Sequence, residues 1–378
     1  MKYLLLVLVP ILIIAVILLL THNSPPSPKN LITALPSSAP QIVSCPPGFI
    51  KVPGNPLYHT SDFCVMKYDA KCALLAQPEV GLAPALGNPC LGAAAGHSYN
   101  TYKNNGPGCF CTNDRQIIST SSGYPVAYVP MIKSDHRDTR NLCSSRGWHL
   151  ITNPEWMTIA RNVETVSANW CNPDGTDCGY PPGTPGKILA NGYYKSPYDQ
   201  ALTAGPDNLP CFGTTTDGSD VCGGKNSQKR TLTLTNNEIV WDFAGNVWSW
   251  VDALVQRKDE PKSRTAGKLD YGWIVRSEFA PGGLIPSTLI DNGQGPSMGY
   301  DAFRPSNPDW NSRQGVGRIY HWSSQTDSDT TEYAFIRGGN WKHGMDDGAF
   351  TIHLSPVPGK ENINDVSFRC VTVPQITP

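Results

Sequence analysis

His343, Asp346, Asp347 and His353, near the C-terminus, are residue types that bind metals or carry protons. Two imidazoles beside two carboxylates suit a metal centre or an acid–base pair. The segment, however, lacks the regular ligand spacing of a known metal motif. Solvated residues of a surface loop are the simpler reading. The second chemical feature is a set of 12 cysteines. Cys109-Phe110-Cys111 has a one-residue spacing, and no second cysteine pair or nearby histidine completes a tetrahedral zinc set. An even number of thiols spread along the chain points instead to disulfides and an oxidising compartment. Short closed loops suggest Cys171 with Cys178 and Cys211 with Cys222, and Cys64 reaches back to Cys45. Sequence spacing alone leaves the connectivity open.

Short strands and loops must position these groups, because the chain has 35 Gly, 34 Pro and ten Trp. Gly48–Pro53 and Phe63–Tyr68 read as strands, rich in aromatic and β-branched residues. From Cys72 to Gly123 the composition shifts to Ala, Gly, Pro and Asn with four cysteines, a disulfide-pinned insertion without periodicity. One helix is predicted over Asp138–Arg146, capped by Ser134-Asp135 and stopped at Gly147. A second starts at Thr152-x-x-Glu155, a capping box with Pro154 in the first turn. Trp156, Ile159, Ala160 and Val163 then form its buried face. Thr231–Thr235, Asn236-Asn237 and Glu238–Trp241 read as a hairpin. Isolated strands are predicted near Tyr271–Val275 and Arg318–Trp322. No internal repeat is visible.

The N-terminus carries a location signal. Tyr3 to Leu20 is apolar and uncharged, interrupted by Pro10, and at about 1.5 Å per residue it spans most of a hydrocarbon core. No small-residue cleavage step follows, which favours a retained anchor over a cleaved signal peptide. Lys2 places the N-terminus inside and the rest outside. Residues 23–44 are rich in Pro and Ser and read as an extended stalk, or as ordinary terminal disorder. Neither the net charge of −1 nor the charged fraction of 16% suggests a nucleic-acid partner, which would need a basic stripe.

Two strings carry a resemblance. Trp241-Asp242-Phe243-Ala244-Gly245-Asn246-Val247-Trp248-Ser249-Trp250 is one. The other runs from Arg337-Gly338-Gly339-Asn340-Trp341 through Gly344, Gly348 and Phe350 to Phe368-Arg369-Cys370. Together they resemble the formylglycine-generating, sulfatase-modifying family, which implies an α+β head with a C-type-lectin-like fold. The resemblance also implies that Cys370 locks the last strand to an earlier element, with Cys143 as partner. It implies calcium held through Asp242, Gly245, Val247 and Ser249. Ser249 stands where the family has Glu, so an anionic ligand is lost, and a structural turn capped by Asp242 is the alternative. The family's two copper-binding cysteines map to His343 and Gly348, and neither is a thiol, which argues against the oxidase chemistry.

The C-terminal string is further similar to lectin-fold proteins diversified by retroelements, in which scaffold positions stay fixed and interleaved positions vary. That similarity implies a ligand-binding surface of Trp341, Lys342, His343, Met345, Asp346, Asp347, His353, Ser355 and Val357, with Trp341 exposed. Calcium-dependent sugar motifs are absent, although Trp310, Tyr320 and Trp322 are available to stack on a ligand.

The combined expectation is a loop-rich, disulfide-stabilised, lectin-like α+β head over residues 45–378, with a Cys-rich insertion at 72–123. A stalk at 23–44 and a transmembrane helix at 1–22 would hold it on the cell surface. Its function would be non-catalytic binding of an extracellular protein or glycan, without a cofactor unless calcium is bound. A related enzyme with different chemistry and a structural surface protein are the alternatives.

Overall fold

A computed structural model describes residues 42–74, 115–122, 136–194, 201–214, 222, 228–256, 272–274, 303–307, 310, 312–321, 330–342, 344–354 and 365–377. Val43–Thr377 forms one compact unit. A four-stranded antiparallel sheet runs in the order β2 (Phe49–Val52), β3 (Phe63–Met66), β17 (Cys370–Thr372) and β6 (His149–Leu150). A six-stranded mixed sheet runs β12 (Gly272–Ile274), β13 (Ile319–His321), β15 (Ile352–His353), β14 (Glu332–Arg337), β11 (Trp248–Gln256) and β16 (Val366–Phe368). Its β13–β15 and β11–β16 pairings are parallel. Four two-stranded pairs complete the set: β1 (Ile42–Ser44) with β18 (Gln375–Thr377), β4 (Lys71–Leu74) with β5 (Arg115–Ile118), β7 (Trp170–Cys171) with β8 (Ile188–Leu189), and β9 (Thr231–Thr233) with β10 (Ile239–Trp241).

Two α-helices occur among the described residues. α1 (His136–Ser144) ends before Gly147, whose φ of 73° makes the left-handed turn that stops it. α2 (Asn153–Val163) carries the predicted capping box: Thr152 Oγ1 accepts from the Glu155 amide, and Glu155 Oε2 accepts from the Thr152 amide at 2.9 Å. Its Trp156 ring stacks on Phe243 with centroids 4.0 Å apart, in a core that also holds Ile159, Val163, Phe335 and Phe350. The predicted hairpin is β9–β10, and Asn237 takes a φ of 67° in its turn.

The expected fold class requires correction. The described chain is mostly small sheets with two short helices, not an α+β lectin-like fold in which helices balance the sheet. The physical reason is that Gly and Pro break regular elements every few residues, so strands of two to four residues predominate. The membrane helix, and with it the membrane as a partner, is corrected too. No helix among the described residues is long and apolar enough to cross a membrane. α2, at 11 residues, spans about 16 Å, roughly half a hydrocarbon core. The apolar run at 3–20 lies outside the described residues, as do most of the stalk, the middle of the 72–123 insertion and Cys109–Cys111.

All four expected disulfides are formed: Cys45–Cys64, Cys171–Cys178, Cys211–Cys222 and Cys143–Cys370. The last joins α1 to β17 across a separation of 227 residues, and both of its cysteines are fully buried. Closing so long a loop removes roughly 5 kcal/mol of unfolded-state entropy. Replacing Cys143 and Cys370 by Ser should therefore lower the thermal midpoint far more than the same change at Cys171 and Cys178. Paired melting curves check this ranking, and equal shifts would contradict it.

Candidate functional site

The C-terminal turn is built on two glycines and a buried cation. Gly338 and Gly339 have φ of 91° and 88°, a region closed to most side chains. A Cβ on Gly339 would lie 1.8 Å from Asp347 Oδ1. Arg337, fully buried at the end of β14, donates from Nε and a terminal nitrogen to Asn153 Oδ1 at 2.8 and 2.6 Å. That pair anchors the turn to the start of α2. The Gly338 carbonyl accepts from the Gly245 amide at 2.9 Å, which joins the two strings singled out in the sequence.

The turn sorts the expected ligand-binding residues into two groups. Trp341 is not an exposed contact. It is 2% exposed and packs with Tyr193, Leu202 and Val247. Asp347 is fully buried, and neither carboxyl oxygen accepts a well-formed hydrogen bond among the described residues, the Asn340 backbone amide lying near enough only to interact weakly. Burial pushes its pKa well above the usual carboxylate range, with the Asn340 amide offsetting this in part and Asp346 adding to it. Asn340 donates to Asp365 Oδ2 at 2.6 Å, and burial raises the Asp365 pKa as well.

Lys342 reaches the surface, whereas Asp346 and His353 are half-buried and the His353 Nε2 is shielded from solvent. Lys342 is exposed, with its ammonium 5.2 Å from the Trp341 ring centroid. Asp346 Oδ1 pairs with Arg318 Nε at 2.7 Å, and both side chains are partly exposed. Half-buried His353 lies edge-on to Tyr320 with centroids 4.0 Å apart, because parallel β13–β15 pairing sets these two residues side by side. Trp248 flanks the same imidazole at 5.9 Å. The short Ser312–Gln314 turn packs against the Gly344–Asp346 turn and brings in exposed Arg313. Arg313 and Arg318 were not selected from sequence, since their nearness to Asp346 depends on a non-local strand pairing that no local spacing signals. His343, Ser355, Val357 and the Met345 side chain lie outside the described residues, as does Trp322.

The expected calcium residues share one turn, but its chemistry is that of an ion pair. Arg230 grips Asp242 with Nε to Oδ1 at 2.8 Å and a terminal nitrogen to Oδ2 at 2.6 Å. Asn246 also donates to Oδ2, at 3.1 Å, and the Asp242 carbonyl accepts from Arg369 at 3.0 Å. Gly245 makes the turn at φ 71°, Val247 is buried, and Ser249 Oγ donates to Asp69 Oδ1 at 3.4 Å. With the carboxylate committed to a guanidinium fork, this set does not fit a calcium ion, which wants six to eight oxygens. Among the described residues, no group of three or more His, Cys, Asp or Glu is placed to hold a metal.

Gly348, the second position where the resemblance implies a thiol, is closed to any side chain. A Cβ on Gly348 would lie 2.4 Å from the Val316 carbonyl carbon and 2.5 Å from the Gly315 oxygen, so no side chain fits. No described cysteine is free. No family model matches this chain, and no curated protein matches it.

Two outcomes are expected from this geometry. Gly339→Ala should cost at least about 2 kcal/mol, because it combines a strained φ with a clash against Asp347. Denaturant titration checks it. Asp347 and Asp365 have raised folded pKa values, so the folded state binds protons before the unfolded chain does as pH falls. Stability should then rise on acidification toward the ordinary carboxylate range at about pH 4, where the unfolded chain begins to bind the same protons. Asp347→Asn should flatten that slope, and an unchanged slope in melting curves would count against the assignment.

Proposed function

We propose that this chain is a non-catalytic ligand-binding protein of receptor or adhesion type, related to the formylglycine-generating family in its two strings but without oxidase chemistry. One observation carries the reading. The C-terminal turn has a buried frame of Arg337, Asn340, Trp341, Phe350 and Leu354, interleaved with exposed Lys342 and half-buried Asp346 and His353. Frame residues are tied by hydrogen bonds and packing, so outward residues change without disturbing the fold. That separation suits a surface that varies between copies, as the similarity to retroelement-diversified proteins implies. A preorganised, chemically mixed surface also loses little entropy on binding. The closed space at Gly348 supports the absence of a copper thiolate pair. Four disulfides among the described residues fit an oxidising compartment.

The test is a ligand screen with the purified full chain beside a Lys342→Ala/Asp346→Ala variant, with melting curves to show that the variant is folded. Any ligand found should lose roughly tenfold or more in affinity in the folded variant. Equal binding by the two proteins would place recognition elsewhere, and steady turnover of a bound compound would overturn the non-catalytic reading.

A further inference from the structure

We infer that Asp69, Ser249, Ser367 and Arg369 enclose a binding site for one internal water molecule. The site lies where the chain leaves the six-stranded sheet for the four-stranded one, from β16 through Arg369 into β17. It is separate from the surface discussed above. Ser367 is the register partner of Ser249 in the parallel β11–β16 pair, so the two hydroxyls sit side by side on one face of the sheet. Ser249 Oγ donates to Asp69 Oδ1 at 3.4 Å, and Arg369 pairs with that same oxygen through a terminal nitrogen at 2.9 Å. All four residues are buried. One carboxylate thus gathers β11, the β16–β17 crossover and the segment after β3 around a shared polar centre.

Three atoms of this centre make no hydrogen bond among the described residues: Asp69 Oδ2, Ser367 Oγ and Arg369 Nε. Buried polar atoms in that condition are costly, and ordered solvent is their usual partner. The chemistry of the three selects the occupant. Arg369 Nε–H is a fixed donor, the second oxygen of a carboxylate paired with a guanidinium is a fixed acceptor, and the Ser367 hydroxyl serves as either. Water accepts from the first, donates to the second and takes whichever role the third leaves. That makes the three hydrogen bonds typical of a buried water. A metal cation would meet Arg369 directly, with Lys71 and Arg230 as the further cations acting on Asp69. A halide would meet the free oxygen of Asp69. Both arrangements set like charges together in a dry interior, where repulsion is strong.

Two crystals of the full chain test this, one native and one soaked in bromide, both diffracting well enough to order solvent. The native crystal should show one density peak within about 2.7 to 3.2 Å of Asp69 Oδ2, Ser367 Oγ and Arg369 Nε. The soaked crystal should show no anomalous signal there. In solution, oxygen-17 magnetic relaxation dispersion counts long-lived internal waters. Ser367→Val, whose branched side chain extends into the site, should lose one such water. Ser367→Ala, which leaves the space and two of the three partners, should keep it. Melting curves establish that both variants are folded. A direct Asp69 Oδ2–Arg369 Nε hydrogen bond with no peak between them would overturn the inference. So would a bromide signal at the site, or an unchanged count in folded Ser367→Val. Should Ser367→Val fail to fold, the two crystals decide alone.

Discussion

Arg369 has no exposed surface, and its guanidinium joins three distant segments of the chain. One terminal nitrogen donates to the Met66 and Lys67 carbonyls at 3.1 Å. The other donates to the Trp241 and Asp242 carbonyls at 2.5 and 3.0 Å and pairs with Asp69 at 2.9 Å. The end of β3, the end of β10 and the start of β17 thus meet at one planar cation. Carbonyls at strand ends have no ladder partner, and in a dry interior each needs a donor. A guanidinium supplies several at once in a fixed plane. The Cys143–Cys370 bridge pins the neighbouring residue, so the last strand is held both covalently and by charge-assisted hydrogen bonds.

That cation does not stand alone. Lys71, Arg230 and Arg369 face Asp69 and Asp242, all nearly or fully buried. Burial drives the Asp69 pKa up and the Lys71 pKa down, while the opposite charges nearby pull each back. Such a cluster is weak evidence of net stability, because desolvation consumes much of the Coulomb gain. Its consequence is specificity. Arg230 commits Asp242 to a fork, and that commitment sets the Gly245 turn against Gly338. The C-terminal turn inherits its position from there. Lys342 and Asp346 face outward because Asn340, Trp341 and Asp347 are drawn into the core on either side of them.

Local features of the chain were legible without coordinates. The capping box at Thr152 and Glu155, the stop at Gly147 and the hairpin at Asn236-Asn237 all follow from short-range hydrogen bonding and backbone sterics. Those forces act within a few residues, so they are written into adjacent letters. The short disulfide loops share this locality, and the Cys143–Cys370 pair came from the resemblance. The weight of helix against sheet was misjudged, because a fold class sums many long-range pairings and two well-capped helices do not represent the whole. Trp341 was misjudged for a similar reason. An aromatic in a polar stretch reads as exposed until Tyr193, Leu202 and Val247, from two other segments, are seen to enclose it.

The site divides along the same line. The sequence itself shows two consecutive glycines after Arg337, and in the fold they take positive φ against the Phe243 carbonyl and the Asp347 carboxyl group. It also shows that His343 and Gly348, where the resemblance implies thiols, are not cysteines. Tertiary structure decided which polar residues face outward, that Arg230 takes the carboxylate a calcium ion would need, and that Arg313, Arg318 and Tyr320 join Asp346 and His353. Each of these depends on segments far apart in the chain, one of them on a parallel strand pair, and the energy of burial is settled only when those segments meet.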